Sequence, residues 1–376
     1  MLESDERIKY QNLYIHVPFC RQKCDYCAFY SVPFHHETWM EQWLQVVLAH
    51  LKKNEEQLSQ IHTVYLGGGT PTLLPDGLLD ELLNHLKSLL PDSGAEFSIE
   101  ANPCTVTPEK AKLLARYVNR VSLGVQSFRQ DTLEMLGRRR YDGPNPEEAV
   151  FNLKESGIQN IGIDLIYGVP NQSLQSWCDD LRQAMNLDIT HISAYSIVSE
   201  KGTPYEIRTS KFPDNDALQQ DMWIACEKIL NEKNFFRYEI SNYAKQGCLA
   251  KHNWNIWHGE TYLGIGPSAV SFNGKDRFQE VPDLRNWLHG APPVFDKISH
   301  EARAAEILMM GLRTTDGWTS EDFQKVTGMS WGFLEKELNE LIDMNLLEFH
   351  EQNLRPTQMG LTFWNTIGET IVRFPV

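Results

Sequence analysis

Three of the chain's seven cysteines, Cys20, Cys24 and Cys27, fall within the stretch YIHVPFCRQKCDYCAFY, residues Tyr14–Tyr30. Cysteine thiolates are soft ligands that suit zinc and iron–sulfur clusters. A structural zinc site takes four ligands, usually as two pairs. No second pair exists here. Cys104, Cys178, Cys226 and Cys248 are scattered and read as small buried hydrophobes. Zinc would have to borrow His16 or Asp25 as a fourth ligand. A [4Fe–4S] cluster fits better: three irons are held by the three thiolates, and the fourth stays open to a small molecule.

Further groups able to do chemistry recur at regular intervals, and each follows a short β-branched or aromatic run. The run Tyr14–Val17 precedes the cysteines. Thr63–Leu66 precedes GGGTP (Gly67–Pro71), whose glycines let a backbone approach a ligand closely. Phe97–Glu100 ends on a carboxylate and is followed by Asn102. Arg120–Gly124 runs into Gln126 and Ser127. Asn160–Leu165 carries Asp164, with Tyr167 and Gly168 beyond it. His191–Ser196 ends in Tyr195 and Ser196. Between the runs lie amphipathic stretches, Thr38–Lys53, Asp76–Leu90, Pro108–Tyr117, a stretch up to Ser156 broken at Gly143–Pro144, Leu174–Met185 and Asp216–Leu230. Thr107 before Pro108 marks a helix start, a hydroxyl cap followed by proline.

Six strand–helix units predict a parallel sheet with helices outside it, either an open doubly wound sheet or an incomplete β/α barrel. Both architectures place their chemistry at the carboxyl ends of the strands. One rim would therefore gather residues from six loops.

The formal net charge of −15 argues against a duplex nucleic-acid partner. The only dense basic run is GRRRY, Gly137–Tyr141. No apolar stretch approaches the roughly 20 residues of a membrane span. The polar N-terminus reads as neither a secretory signal nor a transit peptide, so a cytoplasmic, reducing location is expected.

The C-x3-C-x2-C spacing just past a first strand, together with GGGTP after the second, resembles the radical S-adenosylmethionine (radical SAM) family. The segments YIHVPFC, YLGGGTPT, IEANP, SLGVQSF and IDLIYGVP resemble the branch of that family containing oxygen-independent coproporphyrinogen dehydrogenases and heme chaperones, the HemN/HemW branch. The resemblance implies an α/β fold: an incomplete (β/α)6 barrel with a small helical, winged-helix-like C-terminal domain. It also implies that the amino and carboxylate groups of SAM chelate the open iron. By motif position, Tyr14, Tyr26, Gly68, Gly69, Thr70, Glu100, Gln126, Arg138 and Asp164 would contact SAM. The boundaries that follow are 1–240 for the barrel, 241–298 for a segment of loop, short strand and linker, and 299–376 for the C-terminal domain. That last region has about twice as many acidic as basic residues, which argues against DNA binding despite its winged-helix-like element order.

Two features separate the branches. The decarboxylating enzymes have a further cysteine two positions after the third, where this chain has Phe29. They also carry an extension before the first strand, whereas Tyr14 comes almost at once here. Both features resemble the heme-chaperone side, whose H-N-x-x-Y-W signature corresponds to His252, Asn253, Trp254, Asn255, Ile256 and Trp257, with isoleucine in the tyrosine's place. The resemblance implies that His252, Asn253 and Trp257 serve heme; His258 and Cys248 are rival ligands, and a satisfied aromatic core is the alternative. Heme, SAM, an acceptor hemoprotein and a second copy of the chain are the implied partners. Coproporphyrinogen oxidation, or radical chemistry on another substrate such as an RNA base, are the competing activities.

Overall fold

The computed structural model describes residues 8–33, 37–91, 94–138, 142–212 and 215–372. Arg139, Arg140 and Tyr141 of the basic run lie outside them. Six parallel strands follow one another in the sheet: β1 (Asn12–Val17), β2 (Thr63–Gly68), β3 (Glu96–Ala101), β4 (Arg120–Gln126), β5 (Asn160–Tyr167) and β6 (His191–Ser196). The helices between them are α1 (Glu37–Lys53), α2 (Asp76–Leu89), α3 (Pro108–Ala115), α4 (Gln130–Met135), α5 (Pro146–Glu155) and α6 (Leu174–Met185). Local signals set their ends. The Thr107 hydroxyl accepts from the Lys110 amide ahead of α3. Asn145 and Glu148 form a reciprocal capping box on α5.

Alternation along the strands sorts the residues into two layers. Leu13, Ile15, Val17, Val64, Leu66, Ile99, Val121, Leu123, Ile161, Ile163 and Leu165 are fully or almost fully buried in the main apolar core. Each such side chain contributes about 1.5–3 kcal/mol on burial. The residues between them are polar or aromatic: Tyr14, His16, Tyr65, Glu100, Ser122, Asp164, Ser193 and Tyr195. They form the inner column of the barrel, and this is where the chemistry sits.

The sheet does not end with six strands. It has twelve, in an open order. Beyond β6, strand β7 (Asn242–Ala244) pairs antiparallel. On the other side of β1, strand β8 (Tyr262–Ile265) pairs parallel, matching Asn12 to Tyr262 and Ile15 to Ile265. Antiparallel strands Val270–Phe272, Arg277–Gln279 and Val294–Asp296 follow outward. The short strands expected between residues 241 and 298 thus belong to the barrel sheet and extend its edges, together with Val294–Asp296, which falls in the stretch read as linker.

A second departure concerns KHNWNIW. It reads as loop or strand, yet Lys251–Trp257 is a helix. Two further helices, α7 (Pro204–Thr209) and α8 (Asp216–Asn231), precede it, so we number it α9. Its start is capped from a distance. The Glu96 carboxylate accepts the amides of Lys251 at 2.8 Å and His252 at 3.2 Å. An acidic group at a helix N-terminus satisfies orphan donors and the dipole together. Because that acid lies 155 residues away in sequence, no local pattern announces the helix.

After His300–Gly311 the C-terminal region forms helices around a small antiparallel sheet of Trp318–Thr319, Asn353–Pro356 and Leu347–His350. The expected hairpin is present. The region has its own apolar core, including Leu308, Leu312, Trp318, Phe323 and Ile367. It is pinned to the barrel side by Arg313, whose guanidinium donates to fully buried Glu239 at 2.9 and 2.7 Å and lies 4.5 Å over the Trp257 ring. Among the described residues no helix is long and apolar enough to cross a membrane.

Candidate functional site

A cavity of ≈ 470 Å³ opens at the carboxyl ends of the parallel strands. Its lining includes Cys20, Cys24, Cys27, Tyr26, Gly68, Gly69, Thr70, Glu100, Gln126, Arg138 and Asp164, and Tyr195 and Ser196 of β6 join them, so all six strand ends contribute. The predicted set therefore converges, with one exception. Tyr14 is not among the lining residues; its hydroxyl pairs with His16 Nδ1 at 3.0 Å and its ring stacks on Tyr65. It supports the floor from below. Cys104, read from sequence as an ordinary buried hydrophobe, does line the cavity.

The cysteine loop is held from several sides. The Cys27 amide donates to the Cys24 carbonyl at 3.2 Å. Thr70 points its hydroxyl at Cys20 Sγ, 3.9 Å away, and Arg138 Nη1 lies 3.8 Å from Cys24 Sγ. Burial pushes the Cys20 and Cys27 thiols above their usual range. The next residue to matter is Asp25. Arg208 of α7 pairs with its carboxylate at 2.7 Å, and its carbonyl accepts the Tyr205 amide at 3.1 Å. Gly137 passes so close that a Cβ there would sit 2.2 Å from the Asp25 carboxyl carbon, and its φ of +65° also favours glycine. Sequence reasoning missed this clasp, because helix α7 follows a strand end with no motif of its own.

The glycine run has a matching steric cause. A Cβ on Gly69 would lie 2.5 Å from the Phe19 carbonyl oxygen, and one on Gly68 would lie 2.6 Å from the His16 ring. Both glycines let the second loop nest against the first.

Two carboxyls face each other inside the rim. Glu100 accepts the Tyr65 hydroxyl at 2.9 Å and the Gly68 amide at 3.0 Å. Asp164 accepts the Ser122 hydroxyl at 3.1 Å. Burial pushes both upward, and the neighbouring Asp164 adds to the effect on Glu100, which reaches about 7. A ligand hydroxyl that donates to Glu100 favours its ionised form. A ligand that donates a hydroxyl there, as the resemblance implies for SAM, is therefore expected to bind more tightly as pH rises to about 7 and then to level, approaching tenfold per pH unit on the acid side. Equilibrium binding of SAM across that range checks this, and Glu100→Gln should flatten the curve.

Of the residues expected to serve heme, His252 lies toward the opposite end of the barrel, against Thr63 at the start of β2. His252 is 2% exposed. Its Nδ1 lies 2.7 Å from the Thr63 hydroxyl, which donates its one proton to Asn12 Oδ1 at 2.6 Å. Nδ1 must then be the protonated nitrogen, leaving Nε2 with its lone pair. Burial lowers His252 to about 3, so it stays neutral. Asn253 is half-buried, and Trp257 lies under Arg313. His252 thus has the tautomer of an iron ligand, but α9 keeps it covered.

The radical SAM superfamily model matches residues 14–184, and the HemN C-terminal domain model matches residues 298–363. A coproporphyrinogen III oxidase (HemN) structure from Escherichia coli superposes with a TM-score of 0.82 at 18% identity, covering 99% of this chain and 92% of that one. That match establishes the fold. A Haemophilus influenzae protein named heme chaperone HemW is 32% identical over 95% of this chain and 97% of its own length. This chain belongs to the HemW family of radical SAM proteins. The Escherichia coli family member is also 32% identical, over 95% of this chain and 97% of its own length. A mouse relative, a mitochondrial radical SAM domain-containing protein, is 28% identical over 96% of this chain and 87% of its own length.

A radical SAM domain carries a [4Fe–4S] cluster and SAM, and this cavity fits both. The three thiols line one wall with a guanidinium beside them. Among the described residues no three His, Cys, Asp or Glu side chains close around a single ion.

Proposed function

We propose that this chain is a heme carrier that binds a [4Fe–4S] cluster and SAM in the rim cavity, binds heme, and passes it to an acceptor hemoprotein. Similarity to proteins named heme chaperones along nearly the whole chain carries this reading. The Phe29 side chain adds support. It stands where the decarboxylating branch is expected to have a further cysteine, and it is 70% exposed at the cavity mouth.

In this reading Cys20, Cys24 and Cys27 hold the cluster, and the cluster supplies an open iron and an electron. Gly68, Gly69 and Thr70 present backbone groups to the amino end of SAM. Glu100 and Gln126 take its hydroxyl or amino-acid groups as hydrogen-bond partners, and Arg138 meets its carboxylate. Asp164, held by Ser122, closes the ring of contacts. Tyr26 packs against the cofactor. Heme ligation falls to His252 Nε2, with Asn253 and Trp257 beside it, and requires α9 to leave its seat. A cytoplasmic location and a homodimer belong to the same proposal.

The test is an anaerobic heme titration of the reconstituted protein, followed at the Soret band. Saturation near one heme per chain is expected, with His252→Ala weakening it about tenfold or more. Absence of saturable binding sinks the carrier reading. Conversion of coproporphyrinogen to protoporphyrinogen with SAM and a reductant would replace it with the enzymatic one.

A further inference from the structure

One side chain touches both a carboxylate of the cavity wall and the one buried residue of α9, His252. Tyr65 sits mid-way along β2. Its hydroxyl donates to Glu100 Oε1 at 2.9 Å, on the cavity side. Its ring stacks on His252 of α9, with centroids 5.2 Å apart and planes 27° from parallel. Glycine makes room for the contact: a Cβ on Gly67 would lie 2.9 Å from the Tyr65 ring and 3.0 Å from the Glu100 carboxyl. Below Tyr65, polar contacts run on from His252 to Thr63, from Thr63 to Asn12, and from Asn12 to Glu260 and its partner His62. The seat of α9 is therefore continuous with a carboxylate that lines the cavity.

We propose that Tyr65 is a positioning residue that couples the two ends of the barrel: a ligand hydroxyl donating to Glu100 Oε1 weakens the Tyr65 hydrogen bond there and loosens the seat of α9. This rests on the reading that SAM binds in the rim cavity. The physical basis is sharing of one acceptor. Glu100 Oε2 already accepts the Gly68 amide and Oε1 the Tyr65 hydroxyl, so a ligand hydroxyl that takes the second lone pair of Oε1 divides that oxygen's charge between two donors and weakens the bond to Tyr65. A tyrosine whose hydrogen bond is weakened holds its ring position less firmly, and that ring is the one packed on His252. Coupling between sites is reciprocal, so a change that frees α9 must also favour the ligand by the same factor.

The experiment compares the full-length, anaerobically reconstituted protein with Tyr65→Phe, which keeps the ring and removes only the hydroxyl. SAM affinity is measured by calorimetry, and amide exchange of Trp254 to His258 by mass spectrometry, with and without saturating SAM. In the wild type, SAM should speed exchange of those amides about fivefold or more. In Tyr65→Phe, exchange should already be fast and should not respond to SAM, and SAM should bind tighter by a similar factor. General damage to the barrel would weaken SAM binding, so the sign separates positioning from mere support. Wild-type SAM binding without a change in exchange overturns the coupling alone. So does a Tyr65→Phe protein that still responds to SAM. Failure of the wild type to bind SAM overturns both the coupling and the cavity assignment.

Discussion

Cys20→Ala is expected to abolish the cluster, with iron and acid-labile sulfide falling to background after reconstitution, while Cys104→Ala keeps both near wild-type levels. In the proposed assignment each of the three loop thiolates is the one protein ligand of its iron, so none can be spared without uncovering a second iron. Nearby oxygen donors are poor substitutes for a soft ligand. Cys104 makes the comparison demanding, because it lines the same cavity as the other three. It sits on the short turn Pro103–Thr105 after β3, held by the Asn102 side chain, rather than on the cysteine loop. Equal loss of cluster in both variants would show that the ligand assignment is wrong.

Arg313→Met should be among the most destabilising substitutions outside the apolar cores. Glu239 is completely buried and accepts two hydrogen bonds from Arg313 and one from the Ser241 amide at 2.7 Å. Removing the guanidinium leaves a buried carboxylate with one donor. Breaking such a pair costs about 3–5 kcal/mol. The cation also leaves the face of Trp257, whose contact contributes about 0.5–1 kcal/mol. The double variant Arg313→Met, Glu239→Gln should recover a large part of the loss, since no unpaired charge remains. Urea unfolding midpoints check this, and equal stability of the single and double variants would remove the buried charge as the cause.

Where structure arises locally, it was legible. Leu174–Met185 and His191–Ser196 match their expected spans, and the other strands of the parallel series differ by a few residues at their ends. These segments carry both period and punctuation. The rim residues were legible for a related reason: a parallel sheet delivers every strand's carboxyl end to the same side, so polar residues there must converge. What escaped was fixed by contacts distant in sequence. Helix α9 is rich in Trp, Asn and His, which are middling helix formers, and the carboxylate that starts it lies in β3. Strand β8 has only four residues and exists because β1 offers it an edge. The clasp on Asp25 depends on a six-residue helix whose placement no pattern shows. Tyr65 alternates correctly for an inward-facing residue, but its two partners lie on β3 and α9. Tyr14 packs on His16 and Tyr65 and is not among the residues that line the cavity, since a motif position specifies a neighbourhood rather than a direction.

The parallel pairing of β1 with β8 sets an order of events during synthesis. Strand β1 is made some 250 residues ahead of β8, so one of its two edges has no partner until residues 262–265 have been made. Until then the strand that leads into the cysteine loop is an open sheet edge, and such edges pair with whatever strand they meet. Contacts across 250 residues also close slowly. A ribosome-bound chain that has completed all six strand–helix units still lacks the edge that locks β1. Cluster insertion is therefore best timed after release of the β8 segment, and fragments ending before it should aggregate rather than hold iron.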